Sequence, residues 1–122
     1  MRTLLTALTA LMLFATPVMA GDYEDAFAAY QAGDYQKAFR LWKSIARRGN
    51  PPSMYWIGLM YAKGQGVKQS DIEAYAWWDV AAESGNSRAA EVKNTLVKYM
   101  SIQDLSDANK LAGEYWKKYV LE

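Results

Sequence analysis

The sequence contains no histidine and no cysteine. That removes the usual metal ligands, the usual general base near neutral pH and any thiol nucleophile. It also removes disulfides, which exported domains of this size often use, so the fold must rest on packing alone. Charge of one sign is missing too. Lys and Arg number 14 against 13 Asp and Glu, so no strongly basic face is implied and nucleic acid is a poor candidate partner. No strand pattern and no low-complexity linker interrupts the chain, and 122 residues leave room for one domain. Aromatic side chains are plentiful: five Trp and nine Tyr, each able to bury a large area.

The first 20 residues read as a separate unit. Arg2 supplies a positive start, Leu4 to Ala15 is apolar and uncharged, Pro17 breaks the run, and Val18-Met19-Ala20 offers small residues for cleavage. The pattern predicts a secretory signal with a mature start at Gly21. The alternative is a retained anchor, but the apolar run is short of the ~20 residues that a membrane span needs. Residues 1–20 are therefore expected to be removed, residues 21–122 to form the domain, and the product to be periplasmic or secreted with no stable membrane insertion. Without Arg2 the mature chain has 13 basic and 13 acidic side chains.

Helical spacing and capping residues then mark six helices. The first is expected from Tyr23 to Ala32 with Asp22 as its N-cap, and the second from Tyr35 to Arg48 behind Asp34. The third starts at Pro51 behind Asn50 and ends near Lys63. Ser70 and Glu73 make a capping box for the fourth, which ends near Ser84. Asn86 opens the fifth, to about Tyr99, and Ser101 with Asp104 opens the sixth, from Ile102 to Leu121. The expected fold is all-α, an α-solenoid of about three antiparallel helix pairs. The sixth helix has an apolar stripe of Leu105, Ala108, Ala112, Tyr115, Trp116 and Tyr119 and a charged outer face, as a capping element should.

Parts of the chain recur. Gly49-Asn50 returns as Gly85-Asn86, a shift of 36 residues, and the same shift lays Ala38, Phe39, Trp42 and Ala46 on Ala74, Tyr75, Trp78 and Ala82. A fixed period of this size marks stacked helical units. The residues Ile57-Gly58-x-x-Tyr61, Gly64-x-Gly66-Val67, Asp71 and Ala74-x-x-x-Trp78-x-x-Ala81-Ala82-x-x-Gly85 resemble the Sel1-like repeat, a relative of the tetratricopeptide repeat. One repeat matches well and its flanks match partly. The first pair has a short, tetratricopeptide-length turn in place of the long one. The resemblance implies an exported scaffold or adaptor that holds a protein or peptide in the envelope of a Gram-negative bacterium. A cell-wall hydrolase and a purely structural subunit of an envelope assembly are the alternatives.

Catalytic constellations are hard to find. No serine lies in a Gly-x-Ser-x-Gly elbow. Gly64-Gln65-Gly66 follows a helix and lacks the Lys-Ser/Thr ending of a phosphate loop. Asp22, Glu24 and Asp25 sit at a helix start, where the dipole favours acids. Some Sel1-like proteins rich in cysteine have been assigned hydrolytic activity, and this chain has no cysteine to carry that over. No enzyme activity and no cofactor is expected. Trp42, Trp78 and Trp116 fall on buried stripes, while Trp77 sits beside its stripe. Gly58 in mid-helix predicts close approach of a neighbouring helix. If Ile57, Gly58 and Tyr61 pack as the resemblance implies, Tyr55 and Leu59 point to the inner, concave side, free of contacts. Glu24, Gln31, Lys63, Glu91, Thr95 and Lys98 would flank them there and help grip a partner. The competing reading is that the sixth helix folds over that groove.

Overall fold

The computed structural model describes residues 19–122. All but the last two residues of the expected export segment lie outside that range. Six α-helices and a closing π-helical turn follow, with no strand among the described residues. They are α1 (Met19–Gln31), α2 (Tyr35–Ala46), α3 (Pro51–Lys63), α4 (Asp71–Glu83), α5 (Ser87–Val97), α6 (Ile102–Trp116) and the π-turn Lys117–Leu121. This is the expected all-α solenoid of six helices, stacked in sequence as far as α5.

Local chemistry sets most of the boundaries. Asp34 accepts the Lys37 amide at 3.4 Å, Asn50 the Ser53 amide at 2.9 Å, Ser70 the Glu73 amide at 3.2 Å, Asn86 the Ala89 amide at 2.9 Å and Ser101 the Asp104 amide at 3.0 Å. Each bond satisfies one of the free donors that a helix start exposes. Two expectations need correction. Asp22 caps nothing, because α1 already begins at Met19; its carboxylate lies in the first turn and pairs with Arg48 at 3.1 Å. The reciprocal half of the Ser70–Glu73 box is also absent. The Ser70 amide donates to the Tyr61 carbonyl, and the Glu73 carboxylate accepts the Tyr115 hydroxyl at 2.6 Å.

The core is aromatic and continuous. Trp42 and Ile57 are fully buried at its centre with Met54, Met60 and Trp77. Trp56 of α3 stacks face to face on Trp42 of α2, centroids 5.1 Å apart and planes 5° off parallel. Phe27 and Tyr30 of α1 close on Trp56 at 5.5 and 5.2 Å, and Tyr23 accepts the Trp56 indole N–H at 2.7 Å. The first three helices thus lock onto one another through their aromatic rings. The long turn after α3 also leans backward. Gly66, at φ 73°, lies so close to the Tyr35 carbonyl that a Cβ there would come within 2.9 Å, and Gln65 accepts the Tyr30 hydroxyl at 2.9 Å. The turn is an inter-unit tie built on the absence of a side chain.

The last helix departs from simple pairing. α6 follows α5 in sequence, but its main neighbour is α4. Tyr115 and Tyr119 pack on Trp77 at 4.5 and 4.9 Å, and Asn109 accepts the Tyr75 hydroxyl at 2.9 Å. Trp77, the tryptophan beside its stripe, is fully buried beneath this lid.

Candidate functional site

Two sides of α4 differ in what covers them. On the Trp77 side, α6 lies along the helix. On the other side, the Trp78 indole crosses to α3, where its N–H donates to the Tyr55 carbonyl at 3.0 Å. It lies over Gly58, where any Cβ would collide with the ring. The expected close approach at Gly58 is therefore an indole resting on backbone.

Tyr55 turns toward α4, stacking on Trp78 at 6.5 Å with planes 26° apart, while Trp56 turns back toward α1 and α2. Arg88 of α5 sits 5.8 Å from the Tyr55 ring centroid, joining α3 to α5. Leu59 is half-buried and packs against the core. The expectation that Tyr55 and Leu59 are free of contacts is thus overturned: one closes on a tryptophan and the other on the core. Glu24 and Gln31 of α1, Lys63 of α3, and Glu91, Thr95 and Lys98 of α5 are exposed. They belong to the first helix of each pair, or in the case of Lys98 to its C-cap. Thr95 donates its hydroxyl to the Glu91 carbonyl at 3.2 Å. No contact among the described residues ties Glu24, Gln31 or Lys63 to the Tyr55–Trp78 pair.

The opening lies one step further along. Trp78, Val92, Thr95, Leu96 and Tyr99 line an apolar cleft of about 310 Å³. Its origin is readable from the repeat. The 36-residue shift that lays Trp42 on Trp78 lays Trp56 on Val92. Where Trp56 covers Trp42 with an indole, Val92 offers two methyl groups, and space remains beside Trp78. Tyr99 at the rim is 80 % exposed. Of the expected site residues only Thr95 lines this cleft. Val92, Leu96 and Tyr99 were not among the expected site residues, and the Trp-to-Val exchange at the repeat period is the signal that points to them.

A second cleft, about 410 Å³, runs between α4 and α6 and includes Asp79, Glu83, Asn109, Trp116 and Lys117. Asp79 is engaged by Lys93 at 2.9 Å. Burial works against the Lys93 ammonium, but the bond to Asp79 and its charge outweigh it and raise the lysine above its usual value. Burial raises Tyr75, and raises Tyr61 to about 12 with help from the Glu73 charge. Tyr115 is pushed up furthest, by burial and then by its bond to Glu73. These shifts keep protons on phenols in structural contacts. No group of three or more acidic side chains that would hold a metal occurs among the described residues. None of the described helices is long and apolar enough to cross a membrane.

The chain has recognisable relatives. Two exopolysaccharide production negative regulators match over 69 residues, 57% of this chain and 26% of theirs. The protein from Rhizobium meliloti (strain 1021) is 29% identical and that from Rhizobium leguminosarum bv. viciae 30%. The chain spans about a quarter of the length of these curated relatives. A similar solved structure is c5321, a protective antigen present in uropathogenic Escherichia coli strains and displaying an SLR fold. It superposes with a TM-score of 0.80 at 26% identity, over 84% of this chain and 23% of that one. The Sel1 repeat model matches residues 22–50 and 51–86, one match for each of the first two helix pairs. With those matches covering more than half its length, and with the stacked helix pairs they predict in place, the chain belongs to the Sel1 repeat family.

Proposed function

We propose that the protein is an exported, non-catalytic adaptor that grips a protein partner in the apolar cleft beside Trp78. Repeats of this family form protein-interaction modules, and that much follows from membership. The cleft supports the finer reading. It is apolar, opens beside an exposed tyrosine and has the volume for one large side chain of a partner. A buried anchor in such a pocket is where binding energy concentrates. Tyr55 and Leu59 act here as the wall that holds Trp78 in place. Thr95 lines the cleft, and Glu91 and Lys98, exposed on the same helix and its C-cap, supply a polar rim. The lid of α6 lies on the Trp77 side of α4 and contributes no residue to this cleft.

Export rests on Arg2, the apolar run to Ala15 and the small residues before Gly21. A periplasmic or secreted site of action follows from it. Regulation by holding a partner also suits the rhizobial relatives, which are negative regulators of exopolysaccharide production. The test is Thr95→Arg, which fills the cleft mouth from an exposed position and should leave stability within about 0.5 kcal/mol. The variant should melt like the parent and lose the partner that co-isolates with the parent after crosslinking in intact cells. Unchanged co-isolation would move the binding surface elsewhere, and turnover of muropeptides by the purified protein would favour a hydrolase.

A further inference from the structure

A second surface stands on separate observations. From Tyr35 to Asn50 the chain carries five basic side chains, Lys37, Arg40, Lys43, Arg47 and Arg48, and no acidic one. The whole sequence is nearly neutral, so this charge is segregated. Arg48 pairs with Asp22. Arg40, Lys43 and Arg47 form no ion pair among the described residues. With Phe39 and Ser44 they line a groove of about 340 Å³ along α2. The groove has an aromatic edge. The Lys43 ammonium lies 5.8, 5.2 and 5.8 Å from the ring centroids of Phe39, Trp77 and Tyr119. Lys118 approaches the same Tyr119 ring at 5.4 Å. Cations from α2 and from the closing turn therefore both lie against one tyrosine ring.

We propose that this groove docks an acidic amphipathic helix of a partner protein. Charge complementarity selects the sign, and geometry selects the shape. Arg40 and Arg47 are seven residues apart, two helical turns, which separates them by about 10.5 Å along α2. Carboxylates spaced two turns apart on a facing helix meet both, and guanidinium groups bind carboxylates through two parallel hydrogen bonds. The Phe39 ring, on the flank of the strip beside Arg40, accepts an apolar side chain. Arg40, Lys43 and Arg47 lie in one strip along a single helix and its C-cap, a shape that matches a rod.

The test uses the purified protein and a labelled synthetic helix with Glu residues two turns apart and Leu between them. Its control carries Lys in place of Glu, and phosphatidylglycerol vesicles form a third arm. Fluorescence anisotropy should show binding of the Glu helix and none of the Lys helix, weakening as salt rises from about 20 to about 200 mM. Arg40→Gln with Arg47→Gln should lower affinity about tenfold. Lys68→Gln with Lys110→Gln, also exposed, should leave it unchanged, and circular dichroism should show both variants folded. Equal binding of the two helices, or Glu-helix binding indifferent to the Arg40/Arg47 pair, overturns the proposal. So does binding of vesicles alone.

Discussion

At the residue scale, Gly58 and Trp78 decide how α3 and α4 meet. Alanine is favoured over glycine inside a helix by about 1 kcal/mol. At Gly58 the added Cβ would strike the Trp78 indole, whose N–H is held by the Tyr55 carbonyl. Overpacking of this kind costs about 1–3 kcal/mol, so Gly58→Ala should lower stability despite its better propensity. Chemical denaturation checks it, and a stabilised variant would mean the indole does not rest on α3. Trp78→Ala should cost about 3–5 kcal/mol, a large share of the ~5–15 kcal/mol that folds such a domain. The contrast between Trp56 and Val92 is also a residue-scale fact with a larger result: one exchange at the repeat period fills the first interval and leaves the second open.

At the element scale, α6 is a lid on α4. Removing residues 102–122 should bare Trp77 and strand the Glu73 carboxylate, so the truncated chain should aggregate in size-exclusion chromatography and lose its cooperative melt. A monomer melting at the parent temperature would show that α6 covers nothing the fold needs. The Tyr115–Glu73 bond has a pH signature. An unfolded tyrosine ionises near pH 10, whereas burial and Glu73 keep the proton on Tyr115 well beyond that, and Tyr61 holds its own to about 12. Below pH about 10 both states are protonated and stability is whole. Above it the unfolded state gains by ionising while the folded state cannot, so stability should fall from about pH 10 to 12. Tyr115→Phe should flatten that fall in denaturant melts at pH 8 and 11, at a cost of about 1 kcal/mol at pH 8. Helix starts at Asp34, Asn50, Ser70, Asn86 and Ser101 were legible in the sequence because a cap bonds within three residues of itself. The partner of Glu73, the seat of α6 and the stacking of Tyr55 were not, because each depends on residues 23 to 42 positions away. Asp22 misled for a related reason: a cap is defined by where the helix begins, and α1 begins before it.

At the scale of the whole molecule, two sides of one short stack have different fates. The lid closes the Trp77 side, and the cleft beside Trp78 stays open at the end of the run of repeats. Site-specific photocrosslinking in intact cells shows directly whether the partner sits in that cleft. A photoreactive residue would be placed in turn at Glu91, Thr95 and Tyr99 around the cleft, and at Gln103, Lys110 and Glu114, exposed positions on α6. One discrete high-mass adduct is expected from the three cleft positions and none from the three on α6. Adducts confined to α6, or equal from all six, would contradict it.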